Sequence, residues 1–290
     1  MTDSPNLRVL VTGAGGNLGR KLVAHLVEAP WCSAIVALDR TAPTDTGHPK
    51  VRPVVLDLAR RSTALDAAMA EVDAVVHLAA QNPYPDASWE DGAVSFDMTL
   101  QAVEALARSG GEKRIVFASS NHVMGGYKEE SLSPGGLTTA LPPRPGTRTA
   151  PGDVPRAYAA AKLMGERHLA AKAEPQHLTA VSLRIGWCQP GDNRPQTISA
   201  AGIPGEPVPD TPEAARELAW FRAMWLSNGD FLRAVSAALL ADAAAWPTPA
   251  VVVNAMSDNR AMPWDLSQTR RLIGYAPQDD AAREMGQVSV

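Results

Sequence analysis

The chain predicts an α/β protein: a doubly wound parallel sheet covered by helices on both faces. Short, nearly continuous apolar runs recur at 7–12, 34–39, 54–58, 73–79 and 114–119, which is what strands buried on both faces require. Turns or stretches with apolar residues three and four apart separate them, so strands and helices alternate. At the first junction the sequence TGAGGNLG, residues 12–19, places a glycine turn between a strand and a helix.

The elements follow in order. LRVLVT at 7–12 is apolar, rich in valine, and stops at glycine. Over 17–28 Leu18, Leu22, Leu26 and Val27 fall on one helical face. The second strand ends at Asp39 and the third, VVLDL, holds Asp57 near its end. Helices are expected at 63–70 and 97–108, the latter stopped by Ser109-Gly110-Gly111. Tyr158, Leu163, Glu166, Leu169 and Ala170 keep helical spacing in a later helix. Two segments break the pattern. Residues 131–155 hold six prolines and four glycines and cannot be helix or sheet throughout. Residues 189–212 are similarly rich in both and lead into 213–226, where Leu218, Phe221 and Trp225, with Trp220 and Met224, form an aromatic helical face. Both segments follow strands, and they read either as solvated loops with a docked helix or as lids beside a site.

Composition excludes several classes of partner. A net charge of −4 with no block of Lys or Arg gives no electrostatic footprint for nucleic acid or an acidic membrane. Cys32 and Cys188 are too few for a disulfide framework and lack metal-ligand spacing, so we expect thiols, no metal and a reducing cytoplasm. No leader-like start is apparent, and the most apolar stretch, 234–246, is broken by Asp242, so neither secretion nor membrane spanning is expected.

Gly13, Gly16 and Gly19 allow a tight turn, close approach of backbone N–H groups to a pyrophosphate, and close helix–strand packing, with Asn17 and Leu18 opening the helix. Asp39 can accept hydrogen bonds from both hydroxyls of an adenosine ribose and would repel a 2′-phosphate, which favours NAD. Arg40 beside it is the residue a 2′-phosphate would need. Asp57, followed by Leu58, can meet an adenine amino group or simply form a turn. Small residues in Leu78-Ala79-Ala80 let a cofactor lie against the backbone, while His77, inside an apolar strand, reads as a hydrogen-bonded structural histidine.

Removing a hydride from a carbinol carbon requires a base for the hydroxyl proton. Free tyrosine, with a pKa of about 10, is too weak an acid to serve at neutrality unaided. In YAAAK, Lys162 lies four residues after Tyr158, so on a helix its ammonium can stabilise the phenolate. Ser120, after the fifth strand, can hydrogen-bond the reacting oxygen, with Ser119 as the packed alternative. Asn121 and His122 follow it toward the same cleft. A nicotinamide-dependent dehydrogenase is the resulting expectation.

TGAGGNLG, Asp39, HLAA, the Ser120/Tyr158/Lys162 set and LIGYAPQDD occur in an order that resembles the extended short-chain dehydrogenase/reductases of the epimerase/dehydratase superfamily, over nearly the whole chain. More narrowly, RIVFASSNHVMGGY, SLRIGWCQPGDN and MWLSNGDF resemble uronate dehydrogenases. The resemblance implies a Rossmann-type domain over 1–290 with a small substrate-binding elaboration from about 121–157, 186–228 and 255–290. It also implies NAD-linked oxidation of a uronate at C1 to a lactone, with Tyr158 as base and Lys162 as partner of Tyr158 and of the nicotinamide ribose. Ser120, Asn121, His122 and Asn82 become sugar ligands, and either Arg194 or Arg222 holds the carboxylate. Trp187 departs from the family's small polar residue and points to a bulkier or more apolar substrate. Related enzymes pair through helices corresponding to 97–108 and 158–171, so a homodimer is expected. The competing readings are a nucleotide-sugar epimerase or dehydratase that returns the hydride, and a non-catalytic dinucleotide-binding sensor.

Overall fold

The computed structural model describes residues 6–42, 47–81, 88–128, 130–146, 154–199, 205 and 207–286. Seven strands form one parallel sheet: β1 (Leu7–Thr12), β2 (Cys32–Asp39), β3 (Val51–Val55), β4 (Ala74–His77), β5 (Lys113–Ser120), β6 (Leu178–Ile185) and β7 (Ala250–Ala255). Their spatial order is β3-β2-β1-β4-β5-β6-β7. The helices are α1 (Asn17–Glu28), α2 (Thr63–Ala70), α3 (Trp89–Arg108), α4 (Val154–Lys172), α5 (Pro212–Ala223), α6 (Asn228–Leu240), α7 (Ser267–Ile273) and α8 (Ala281–Glu284).

Both faces of the sheet are covered, as the near-continuous apolar strands require. In β1, Val9 and Val11 pack with Leu22, Phe231 and Val235 of α1 and α6. Leu10 turns the other way, toward Leu65, Ala102 and Leu169 of α2, α3 and α4. A third apolar cluster stands apart from these two and is contributed by the stretches after β5, β6 and β7. It joins Tyr127 and Leu137 to Phe221 and Trp225, and both to Met256 and Trp264. Leu137 also bridges to Trp264 through the backbone, so part of the proline-rich segment is tied down by strand-like pairing.

Three elements differ from the sequence expectation by more than a shift of one or two residues at an end. The third strand runs over Val51–Val55 instead of 54–58, and Pro53 sits within it. An edge strand tolerates proline because one side of its backbone needs no partner, and β3 is at the sheet edge. Asp57 therefore lies past the strand. The helix expected at 97–108 begins eight residues earlier, where Ser88 and Asp91 form a reciprocal capping box. The aromatic helix expected over 213–226 stops at Ala223, because the Leu226 N–H donates to the Trp187 carbonyl at 3.0 Å and not back to Arg222 one turn earlier.

Candidate active site

β1 and β4 are neighbours in space, while β2 and β3 lie on the far side of β1. The chain thus leaves β1 in one direction and returns to β4 in the other, opening a crevice at the carboxyl ends of the strands. A cavity of 550 Å³ occupies it and runs into a second of 330 Å³ across Gly13, Gly16 and Leu78.

The smaller chamber is bounded by the glycine turn and the end of β2. Gly13 has φ +68°, and a Cβ there would also meet Ala79 N at 2.9 Å. A Cβ on Gly19 would stand 2.1 Å from the Gly13 carbonyl, so only glycine lets α1 start against the turn. The Asp39 carboxylate accepts from Gly15 N at 2.9 Å, docking the turn onto β2, and its other oxygen accepts from Thr41 N at 3.3 Å. Arg40, Asp57, Leu58, Ala79 and Ala80 line the same chamber. Arg40 donates to Gln81 Oε1 at 3.3 Å, while Asp57 accepts from Ala59 N at 3.0 Å, the turn-forming role open to it from the sequence.

His77 underlies this wall and is fully buried. Thr12 Oγ1 accepts from Leu78 N and Ala79 N, both at 3.2 Å, so its own proton goes to His77 Nδ1 at 2.8 Å. The ring is then protonated at Nε2, which donates to Thr99 Oγ1 at 3.1 Å, and Thr99 donates to the Ser95 carbonyl. Burial lowers the His77 pKa to about 3, and the nearby Lys162 charge adds to the effect, so the ring stays neutral. His77 therefore braces the backbone of β4.

The larger chamber gathers the candidate reacting residues. Asn17, Leu18, Ser120, Asn121, His122, Tyr158, Lys162 and Trp187 all line it. α4 carries Tyr158 and Lys162 one turn apart, and the Lys162 ammonium lies 5.0 Å from the Phe117 ring centroid and 5.6 Å from that of Tyr158. Burial drives the Tyr158 phenol up to about 12, opposed by its hydrogen bond with Ser120. Burial also drives the Lys162 ammonium down to about 8. The Asn121 amide donates to the Ile185 carbonyl at 3.1 Å, leaving its oxygen buried and without a partner among the described residues. His122 packs edge-on to both Tyr158 and Trp187, and Trp187 packs in turn against Phe221 of α5.

The two arginines part company. Neither arginine lines the cavity, and Arg194 pairs with Asp192 on the surface, its side chain 68% exposed. Arg222 is half-buried, burial lowers its pKa, and its Nε is enclosed without a partner among the described residues. Asn82 lies outside the described residues. Sequence reasoning missed the wall formed by Gly186, Cys188, Gln189 and Pro190. Asn17 reaches across to it, donating to the Gln189 carbonyl at 3.2 Å. The only signal in the sequence was the position of this loop directly after a parallel strand.

The model of the NAD dependent epimerase/dehydratase family matches residues 9–188. The chain is 33% identical to an L-arabinose 1-dehydrogenase (NAD(P)+) of Haloferax volcanii, over 95% of this chain and 98% of that one. It is 28% identical to a uronate dehydrogenase of Pseudomonas putida, over 97% and 87%. Among solved structures, a glucuronic acid dehydrogenase from Chromohalobacter salexigens superposes with a TM-score of 0.71 at 25% identity, covering 98% of this chain and 90% of that one. Fold, glycine turn and family model agree over the same residues: the chain belongs to the NAD dependent epimerase/dehydratase family.

Proposed function

We propose that the protein is a sugar dehydrogenase that oxidises the C1 hydroxyl of a cyclic monosaccharide with NAD, giving a lactone. The observation that carries this reading is the Ser120–Tyr158–Lys162 group lining the same continuous crevice as the glycine turn and Asp39. Relatives that match along nearly the whole chain are dehydrogenases of L-arabinose and of uronates.

The dinucleotide fits the residues present. The turn at Gly13, Gly16 and Gly19 would hold its pyrophosphate, with Asn17 and Leu18 at the start of α1, and Asp39 its adenosine ribose. Arg40, Asp57 and Leu58 would border the adenine, and Leu78, Ala79 and Ala80 the central stretch. When bound, NAD supplies the hydride acceptor, and the positive charge of its ring favours a phenolate nearby. Tyr158 takes the hydroxyl proton as the C1–H bond is broken and the C1–O bond becomes a carbonyl. Before that transfer Lys162 holds the phenolate against its ammonium, offsetting the burial that otherwise keeps the phenol protonated. Ser120, joined to the phenol, steadies the reacting oxygen, and the Asn121 oxygen, without a partner among the described residues, can accept from a sugar hydroxyl. We assign Asn121, His122, Trp187 and Arg222 to the sugar end, in a lobe built from 121–157, 186–228 and 255–290, with Asn82 as a further sugar ligand on the resemblance alone.

NADH absorbance with a panel of aldoses, hexuronates and sugar phosphates tests the reading. Turnover of at least one neutral or acidic sugar is expected, and Tyr158→Phe should lower kcat by about 10²–10⁴ with little change in NAD affinity. Full activity in that variant, or no NADH from any sugar, would overturn it. We further place the enzyme in the cytoplasm as a homodimer. Two unpaired thiols support the first, and Trp89 of α3 and Met164 of α4, both exposed, support the second. Cell fractionation and sedimentation velocity at micromolar concentration check each in turn.

A further inference from the structure

Beneath the reacting groups lies a charged pair that the proposed chemistry does not use. Glu166 of α4 and Arg184 of β6 are both buried and form a two-pronged ion pair, Arg184 Nε to Oε1 at 2.9 Å and Nη2 to Oε2 at 2.8 Å. Ser119, at the end of β5, donates to the same carboxylate at 2.5 Å. Tyr158, Lys162 and Glu166 stand four residues apart along α4 and so share one side of the helix. Ser119 is bonded in sequence to Ser120, the hydroxyl that meets Tyr158.

One carboxylate thus ties together the helix that carries Tyr158 and Lys162, the strand that carries Ser120, and the strand beyond. Packing alone would leave α4 free to slide by fractions of an ångström along the sheet, because apolar contacts are not directional. A forked, charge-assisted pair fixes both distance and rotation. Burying two charges is a poor way to gain stability, since an apolar pair of similar volume often does as well or better. Its presence at this place calls for another role.

We propose that Glu166, clamped by Arg184 and Ser119, is a positioning residue that sets α4 so that the Tyr158 hydroxyl meets Ser120 and the reacting carbon. The kinetic part of this rests on the dehydrogenase reading; the structural part does not. Glu166→Gln alone leaves the Arg184 charge bare and buried, a cost to folding in itself, so the deciding variant is Glu166→Met/Arg184→Met, which removes both charges together.

Two measurements on that variant decide the matter. In the cofactor-free protein labelled with ¹³Cζ-tyrosine, the Tyr158 resonance, assigned with Tyr158→Phe, should shift or broaden while that of Tyr275, in a separate part of the core, stays in place. In turnover, kcat should fall roughly 10- to 100-fold, the loss expected of a small misplacement, with KM for NAD within threefold and a larger deuterium isotope effect from C1-deuterated sugar. An unmoved Tyr158 resonance overturns the clamp, and so does wild-type kcat in a folded double variant. If the wild-type protein turns over no sugar yet the resonance moves, the clamp stands and the dehydrogenase reading falls.

Discussion

The ends of the crevice that we assign to the cofactor and to the sugar are built on different principles. At the cofactor end, one short stretch of chain does most of the work: the turn between β1 and α1 folds on itself and is pinned to Asp39 by a single N–H. Backbone geometry sets it, so residue types at fixed spacing announce it. At the sugar end, the wall is assembled from side chains far apart in sequence. Trp187 is backed by Phe221, and the cluster behind them draws on Leu137, Met256 and Trp264. A dinucleotide presents the same pyrophosphate to every protein that binds it, whereas sugars differ in their hydroxyls and substituents. A fixed backbone cradle suits the first and replaceable side chains suit the second.

Substitutions can break this contrast, beginning with the largest effect. Gly19→Val puts side-chain atoms where only 2.1 Å separates the would-be Cβ from the Gly13 carbonyl. The turn must open, and NAD binding measured by calorimetry should weaken by roughly 100-fold or more, about 2.7 kcal/mol. Comparable affinity in that variant would show that the cradle is not set by the backbone.

Lys162→Met tests what the chemistry costs the fold. Burial depresses the folded-state pKa of Lys162 to about 8 from 10.5, so below pH 8 the native state holds a buried ammonium that the unfolded chain solvates freely. Wild-type stability should therefore rise as pH goes from 8 toward 10.5, where the unfolded chain binds the extra proton. The methionine variant should be more stable than wild type at pH 7 by roughly 3 kcal/mol, with the gap closing over that window, while turnover collapses. Denaturant melts of the cofactor-free protein at pH 7 and 9.5 decide it, and a destabilised variant would contradict the assigned burial cost.

At the sugar end, Trp187→Ala should raise the sugar KM about tenfold and leave the KM for NAD within about twofold, since a hydrophobic contact is worth that much discrimination. An equal rise in both would mean that Trp187 shapes the whole crevice. The smallest effect is expected at Arg194, which is solvent-exposed and paired with Asp192. Arg194→Ala should change neither constant by more than about twofold, whereas Arg222→Ala should raise the sugar KM. The reverse ranking would move the sugar site toward the 189–199 loop.

The sequence was most legible where chemistry is local. Helices α1 and α2 fall at the bounds expected from the sequence, and the all-parallel sheet follows from apolar runs buried on both faces. His77 is held by two threonines, as its apolar strand implied. Pro53 hid the start of β3, because the sequence does not say which strand will be an edge. Glu166 read only as a residue on a helical face; its partner is eighteen positions away on another strand, and nothing in the spacing tells a buried carboxylate from a solvated one.

What the chain determined by itself is the order of its elements, the glycine turn, and the pairing of a phenol with an ammonium one helical turn away, since each depends on residues within a few positions. Only the tertiary structure decided which arginine is drawn inward, that Trp187 packs against Phe221, and that Glu166 joins α4 to two strands. Those contacts join segments brought together by burial of the core, and burial favours apolar area without specifying which neighbours meet.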